Sequence, residues 1–206
     1  MYDKTVHHRR SIRLHGYDYS IPDYYFITIC AQDKKCIFGR VCNGEMALNE
    51  FGKIVCNSWE WLAEQYEYIK LHEYVVMPNH FHGIIEICDV GARRDAPYFH
   101  GIIEICNVGA RRDAPRAARE PPLQQPVRTK KIGGITGAFK TVSTKQINII
   151  RGTPGKKLWQ RNYYEHIIRD GADYEKIMNY IVSNPQTWDS DKLYQKQLDE
   201  FNKRFE

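Results

Sequence analysis

The stretch Val75-Val76-Met77-Pro78-Asn79-His80-Phe81-His82-Gly83-Ile84-Ile85-Glu86-Ile87 decides how the chain is read. Apolar runs flank Pro78-Asn79, a dipeptide suited to a tight turn, so the segment predicts a hairpin of two strands, Tyr68–Met77 and His80–Ile87. In an extended strand alternate side chains share a face. His80 and His82 therefore lie together, about 6 to 7 Å apart, while Phe81 turns to the other side. Two imidazoles so placed can grip one metal ion, although the motif by itself is more often a pair of satisfied strand histidines.

Working outward, Tyr24-Tyr25-Phe26-Ile27-Thr28-Ile29-Cys30 is aromatic and β-branched, as a strand requires. Between it and the hairpin, Phe51, Ile54, Val55, Trp59, Leu62 and Tyr66 recur at three- and four-residue intervals and predict a helix from Leu48 to about Tyr66. Downstream, Ile135, Phe139, Val142 and Ile147 predict a second helix over Gly134–Ile147, and Leu158–Ile168 suits a fourth strand. A last helix, Ala172–Ser183, carries Tyr174, Ile177, Met178 and Ile181 on one side and stops before Pro185. The order strand, helix, strand, strand, helix, strand predicts an α+β, ferredoxin-like split β-α-β antiparallel sheet. Its helices cover one face, and a C-terminal helix is appended.

With 206 residues and 24.3 kDa the chain can bury one main core. We expect a basic N-terminal arm over 1–22, one domain over 23–190 and a charged tail over 191–206. Thirty Lys and Arg against 25 Asp and Glu leave a charge of +5, which permits a nucleic-acid partner without demanding one. The excess is concentrated in His7–His15 and in Arg111–Lys131, where seven basic residues face two acids. No apolar run reaches the roughly 18 residues of a membrane span, and no signal-peptide core follows the N-terminus. Six cysteines include no Cys-x-x-Cys pair. The expectation is a cytoplasmic protein with reduced thiols and no structural zinc site.

One irregularity interrupts the pattern. Phe81–Pro97 is repeated as Phe99–Pro115, 18 residues on, and differs only where Asp89 becomes Asn107. Two near-identical copies read as a tandem duplication rather than a repeat architecture. Only the first copy has the histidine pair, because His100 lacks a partner at Tyr98. The second copy is expected to loop out or add an edge strand, within an insert and linker at about 89–131 whose Pro115, Pro121, Pro122 and Pro126 block regular structure.

On the last helix Tyr180 and Asn184 are four residues apart and share a face. Each alone also fits a bland role, a packed ring and a C-terminal cap. Facing a sheet that bears His80 and His82, they would assemble a nucleophile and three metal ligands. Two imidazoles and an amide oxygen suit a divalent ion such as Mg2+ or Mn2+ with positions left open for substrate oxygens.

Arg9-Arg10-Ser11-Ile12-Arg13-Leu14, Val76-Met77-Pro78-Asn79-His80-Phe81-His82, Trp159-Gln160-Arg161-Asn162-Tyr163-Tyr164-Glu165-His166-Ile167-Ile168-Arg169 and Tyr180-Ile181-Val182-Ser183-Asn184-Pro185 follow one another in order. Together they resemble the REP-associated tyrosine transposases. These are single-tyrosine HUH enzymes, in which a bulky hydrophobic residue separates the two histidines. The resemblance spans nearly the whole chain outside the duplicated insert. It implies that His80, His82 and Asn184 hold a divalent metal, Mg2+ or Mn2+, and that Tyr180 is the nucleophile. The implied substrate is single-stranded DNA, often a palindrome folded as a hairpin, cleaved and rejoined through a 5′-phosphotyrosine without an external nucleotide. Phosphate contacts would fall to Arg9, Arg10, Arg13, Lys130, Lys131 and Arg161, and base stacking to Tyr163 or Tyr164. Such an enzyme would act as a monomer or homodimer. The rival reading is a catalytically retired, hairpin-specific DNA-binding protein of the same descent. An RNA-binding ferredoxin-like domain is disfavoured, because the sheet lacks the aromatic pattern of an RNA-recognition motif.

Overall fold

The computed structural model describes residues 22–88 and 130–194. The arm with Arg9, Arg10 and Arg13, the second copy of the duplication, the proline-rich linker and the tail from 195 onward lie outside the described residues.

The chain runs through β1 (Asp23–Cys30), a small hairpin of β2 (Gly39–Cys42) and β3 (Glu45–Leu48), α1 (Glu50–Gln65), β4 (Ile69–Val76), β5 (His80–Ile87), α2 (Ile132–Arg151), β6 (Tyr164–Ile168) and α3 (Gly171–Ser183). The main sheet has the order β4-β5-β1-β6 with every neighbouring pair antiparallel. This is the ferredoxin-like arrangement expected from the element order. β5 is built from the first copy of the duplication and pairs with β1 from Asp23↔Ile87 to Cys30↔His80.

Two details depart from the sequence reading. The β2–β3 hairpin was not foreseen, since four-residue strands with mixed burial carry little periodic signal. The fourth main strand is shorter than Leu158–Ile168, because Trp159 makes only an isolated bridge to Ala31 and continuous pairing begins at Tyr164. Between them the Lys140 ammonium donates to the backbone carbonyls of Gln160 and Arg161 and holds this stretch to α2 instead of the sheet.

Strand alternation gives the sheet two unlike faces. On one, Tyr25, Ile27 and Ile29 of β1 and Phe81, Ile85 and Ile87 of β5 meet Val55, Trp59 and Leu62 of α1 and Ile135, Phe139 and Ile147 of α2. Trp59, Phe81 and Phe139 form its aromatic centre, with ring centroids 4.7 Å and 5.0 Å apart. Gly83 lies beneath them: a Cβ there would come within 2.9 Å of both the Phe81 and Trp59 rings, so only a bare backbone fits. On the other face a smaller cluster joins Phe26, Ile84 and Ile168 to Ile177 and Ile181 of α3. α3 starts where the Asp170 carboxylate accepts from the Asp173 amide, at 2.8 Å, an N-cap that satisfies one free donor of the first turn. No helix among the described residues is long and apolar enough to cross a membrane.

Candidate active site

β5 and α3 build the site between them. Alternation along β5 sends His80 and His82 to the α3 face, with their ring centroids 4.5 Å apart. Both are buried. Phe26, on the neighbouring strand, stacks on His82 at 5.4 Å and fixes the plane of its ring.

Each imidazole is oriented through its Nδ1. His80 Nδ1 lies 2.7 Å from Asn79 Oδ1. The Asn79 amide nitrogen donates to the carbonyls of Lys34 and Leu193, which leaves Oδ1 as the acceptor and places the His80 proton on Nδ1. His80 Nε2 is then a buried lone pair with no hydrogen-bond partner. His82 Nδ1 lies 2.8 Å from Thr28 Oγ1, and its Nε2 is 3.2 Å from the Tyr180 hydroxyl. A ring nitrogen tied to the protein by its far edge is the usual arrangement around metal-binding histidines.

Tyr180 is 41% exposed, so its hydroxyl reaches the histidines while the ring edge stays open to a substrate. Asn184, at the C-terminal end of α3, is fully buried and its Oδ1 has no partner. Its amide nitrogen lies 3.4 Å from Asp191 Oδ2. Asp191 follows the short turn Trp188–Ser190, and it can bring a carboxylate oxygen, with one nitrogen each of His80 and His82, to within 4.8 Å of one another. Sequence reasoning missed Asp191, which was placed at the start of the tail. The buried Trp188 ring, tilted against His80 at 5.8 Å, is the packing that brings this segment back over the sheet.

The electrostatics favour neutral imidazoles. Burial lowers the His80 pKa to about 4; the Asp191 charge opposes the shift and Lys34 adds to it. His82 is held well below the ordinary histidine value by burial and then by His80. Tyr180 is pushed above the ordinary tyrosine value, first by burial and next by Asp191, with a hydrogen bond from Asn184 acting the other way. Two neutral nitrogens, an amide oxygen and a carboxylate are a mixed N/O donor set suited to a divalent ion. His80 Nε2 and Asn184 Oδ1, both buried without a hydrogen-bond partner, are lone pairs that could serve as ligands.

Other expected contacts fall elsewhere. Lys130 donates through its backbone amide to the Tyr68 hydroxyl and through its ammonium to Tyr66, beside the start of β4. Because Ile69 pairs with Ile87, this is the end of the sheet opposite His80. Lys131 precedes α2 there, and Arg161 is exposed on the connection to β6. Tyr164 is exposed with its ring edge toward Phe26, whereas Tyr163 packs on the larger core. His166 pairs with Asp173 at 2.8 Å and serves to seat α3.

No family model matches the chain. An uncharacterized protein of Haemophilus influenzae is 38% identical over 194 residues, 94% of this chain and 97% of that one. Among solved structures, a REP-associated tyrosine transposase bound to a REP hairpin covers 85% of this chain and 74% of its own at 15% identity, with a TM-score of 0.50. A candidate transposase from Deinococcus radiodurans covers 82% of this chain and 95% of its own at 14% identity; its TM-score of 0.42 adds nothing to the fold assignment.

Proposed function

From a chain that belongs to one family with the Haemophilus influenzae protein and has the fold of a REP-associated tyrosine transposase, we propose a metal-dependent endonuclease and transposase acting on single-stranded DNA at hairpin sites, with Tyr180 as nucleophile. The observation that carries this reading is the Tyr180 hydroxyl, 3.2 Å from His82 Nε2, beside the two buried and unsatisfied acceptors of His80 and Asn184.

His80, His82, Asn184 and Asp191 would hold the ion. When bound, it would polarise the non-bridging oxygens of the scissile phosphate and offset the charge gathered in the transition state. The rest falls to the chain. The Tyr180 oxygen attacks phosphorus in line, forming a tyrosine–phosphate ester as the bond to the 3′ oxygen breaks. With its pKa above the ordinary value, the hydroxyl is protonated at neutral pH, so its proton must leave as the new bond forms. Asp191, which acts on the hydroxyl by charge and a hydrogen bond, would receive the proton on the carboxylate oxygen that does not ligate, and the departing 3′ oxygen would take up a proton in return. Thr28 and Asn79 hold the two imidazoles by their Nδ1 atoms throughout. One ester replaces another, so the strand can be rejoined by the reverse attack without a nucleotide cofactor.

The test uses 5′- and 3′-labelled hairpin oligonucleotides with Mn2+ or EDTA on denaturing gels. The expected result is metal-dependent release of a free 5′ fragment ending in a 3′ hydroxyl, with the 3′-labelled fragment linked to the protein through its 5′ phosphate, and both products disappear in Tyr180→Phe. Hairpin binding without any adduct in Mg2+ or Mn2+ would instead make the chain a DNA-binding protein.

A further inference from the structure

β4 carries one residue more than its partner strand matches. Leu71 lies opposite Ile85 and Tyr74 opposite Gly83, three steps on β4 against two on β5. Leu71 and Tyr74 both pack on the larger core, so the extra residue is a β-bulge that turns His72 and Glu73 together toward α3. There they meet one phenol. The Tyr174 hydroxyl donates to Glu73 Oε2 at 2.8 Å and lies 3.2 Å from His72 Nδ1. His72 is braced in turn by Glu86 Oε2, 3.0 Å from its Nε2, and by the Tyr24 ring at 5.3 Å. Burial, and after it Glu73, push the Tyr174 phenol above the ordinary tyrosine value, so it stays a protonated donor to the bulge at neutral pH.

The tie stands where it controls Tyr180. α3 rests on the sheet through Ile177 and Ile181, and apolar contact of that kind is non-directional: it holds the helix down without fixing where it lies. Direction comes from polar contacts in the first turn. Asp173 reaches His166 on the edge strand β6, and Tyr174 reaches the bulge on the opposite edge strand β4. The first is a part-exposed ion pair that solvent screens. The second is packed as well as bonded, with the Tyr174 ring edge-on to Tyr24 at 5.8 Å and to His72 at 5.9 Å. Tyr180 follows six residues on, about 9 Å along the same helix. A shift at Tyr174 is carried to the hydroxyl that stands 3.2 Å from His82.

We propose that Tyr174, with Glu73 and His72 of the bulge, is the positioning anchor for Tyr180: it sets where over the sheet the nucleophile stands, without itself touching DNA or metal. The inference rests on the transposase reading and deepens it by naming the residues outside the site that align the attack.

The test is single-turnover cleavage of the labelled hairpin oligonucleotides at saturating protein with Mn2+, read beside hairpin affinity and the fluorine NMR resonance of a fluorotyrosine introduced in place of Tyr180. Tyr174→Phe keeps the ring and loses the hydroxyl. Glu73→Ala removes the acceptor, should the first variant fold poorly, and Glu73→Gln restores one. Because a misplacement of about 1 Å can cost about a hundredfold, Tyr174→Phe and Glu73→Ala should slow adduct formation by roughly tenfold or more while hairpin Kd changes by less than about twofold. The fluorine resonance should move toward that of a tyrosine in water, and Glu73→Gln should recover most of the rate. A rate unchanged in both variants overturns the inference, as does a loss confined to hairpin affinity. So does a slowed rate with an unmoved resonance, or a loss in Glu73→Ala that Glu73→Gln does not reduce. A wild type that forms no adduct fells the transposase reading, and the resonance then decides the anchor: moved in Tyr174→Phe it upholds it, unmoved it overturns it.

Discussion

Asn79→Ala is the substitution that most sharply tests how the site is held. Asn79 is 1% exposed and makes three hydrogen bonds: it donates to the Lys34 carbonyl at 3.1 Å and the Leu193 carbonyl at 2.8 Å, and accepts from His80 Nδ1 at 2.7 Å. Truncation strands three polar groups. At about 1–3 kcal/mol for each group left without a partner, and with water able to reach at least one carbonyl, the fold should lose about 2–4 kcal/mol. The metal should suffer separately. His80 loses the anchor that directs its Nε2 lone pair, and the segment carrying Asp191 loses its tie through Leu193. Loss of such an outer partner costs about 10–100-fold in metal affinity. Denaturant unfolding without metal and calorimetric titration with Mn2+ measure the two effects independently. Asn79→Asp sharpens the comparison, because it keeps an acceptor for His80 but no longer donates to either carbonyl; its affinity should fall between the wild type and the Ala variant. An Ala variant that is destabilised yet binds Mn2+ as tightly as wild type would refute the reasoning and reduce Asn79 to a fold residue.

A bound ion should also show in thermal unfolding. Mn2+ at about one hundred times its dissociation constant contributes about 2.7 kcal/mol, which raises Tm by about 5–10 °C for a domain of this size. The rise should vanish in His80→Ala and His82→Ala and shrink in Asp191→Ala, while Asp189→Ala, on the exposed side of the same turn, should keep it; differential scanning fluorimetry reads all four. Gly83→Ala probes the larger core: a methyl 2.9 Å from the Phe81 and Trp59 rings must push them aside, at a cost of about 1–3 kcal/mol in denaturant unfolding. No loss of stability would show that the aromatic stack yields freely.

The strands and helices that position the site were legible because each carries its signal, an apolar β-branched run or a helical stripe, over a full element. β1 and β5 are apolar, aromatic and β-branched runs, β5 buried nearly throughout, and α1 and α3 bury their apolar stripes. The shared face of His80 and His82 followed from the two-residue period of a strand, and that of Tyr180 and Asn184 from the helical period, whereas the meeting of Tyr180 with His82 was implied by the family resemblance and not by either period. Asp191 was not legible for the same reason. It sits after a three-residue turn with no period, and its place depends on contacts to residues distant in sequence: Trp188 on His80, and Leu193 bonded to Asn79. The available signal was weaker: a tryptophan and an aspartate soon after Asn184-Pro185, in a stretch otherwise read as a solvated tail. The course of Trp159–Tyr163 was hidden similarly. Its aromatic residues suit a strand, but Lys140 captures two of its carbonyls from across the core face.

The unequal burial of the two sheet faces sets a hierarchy of openings. α1 and α2 together bury Val55, Cys56, Trp59, Leu62, Ile132, Ile135, Phe139 and Ile147 in the larger core, so that layer lifts only when the whole fold is lost. α3 buries Ile177 and Ile181, worth roughly 3–6 kcal/mol together before the entropy of ordering is subtracted. Polar contacts add to this, among them His166 to Asp173, Tyr174 to Glu73 and Tyr180 to His82. The helix that presents Tyr180 is thus a separate cooperative unit, and its amides should exchange with solvent by fluctuations far cheaper than global unfolding, while β1 and β5 remain protected. A phosphotyrosine formed on such a unit would travel with the hinged piece, and the histidines would stay with the fixed one.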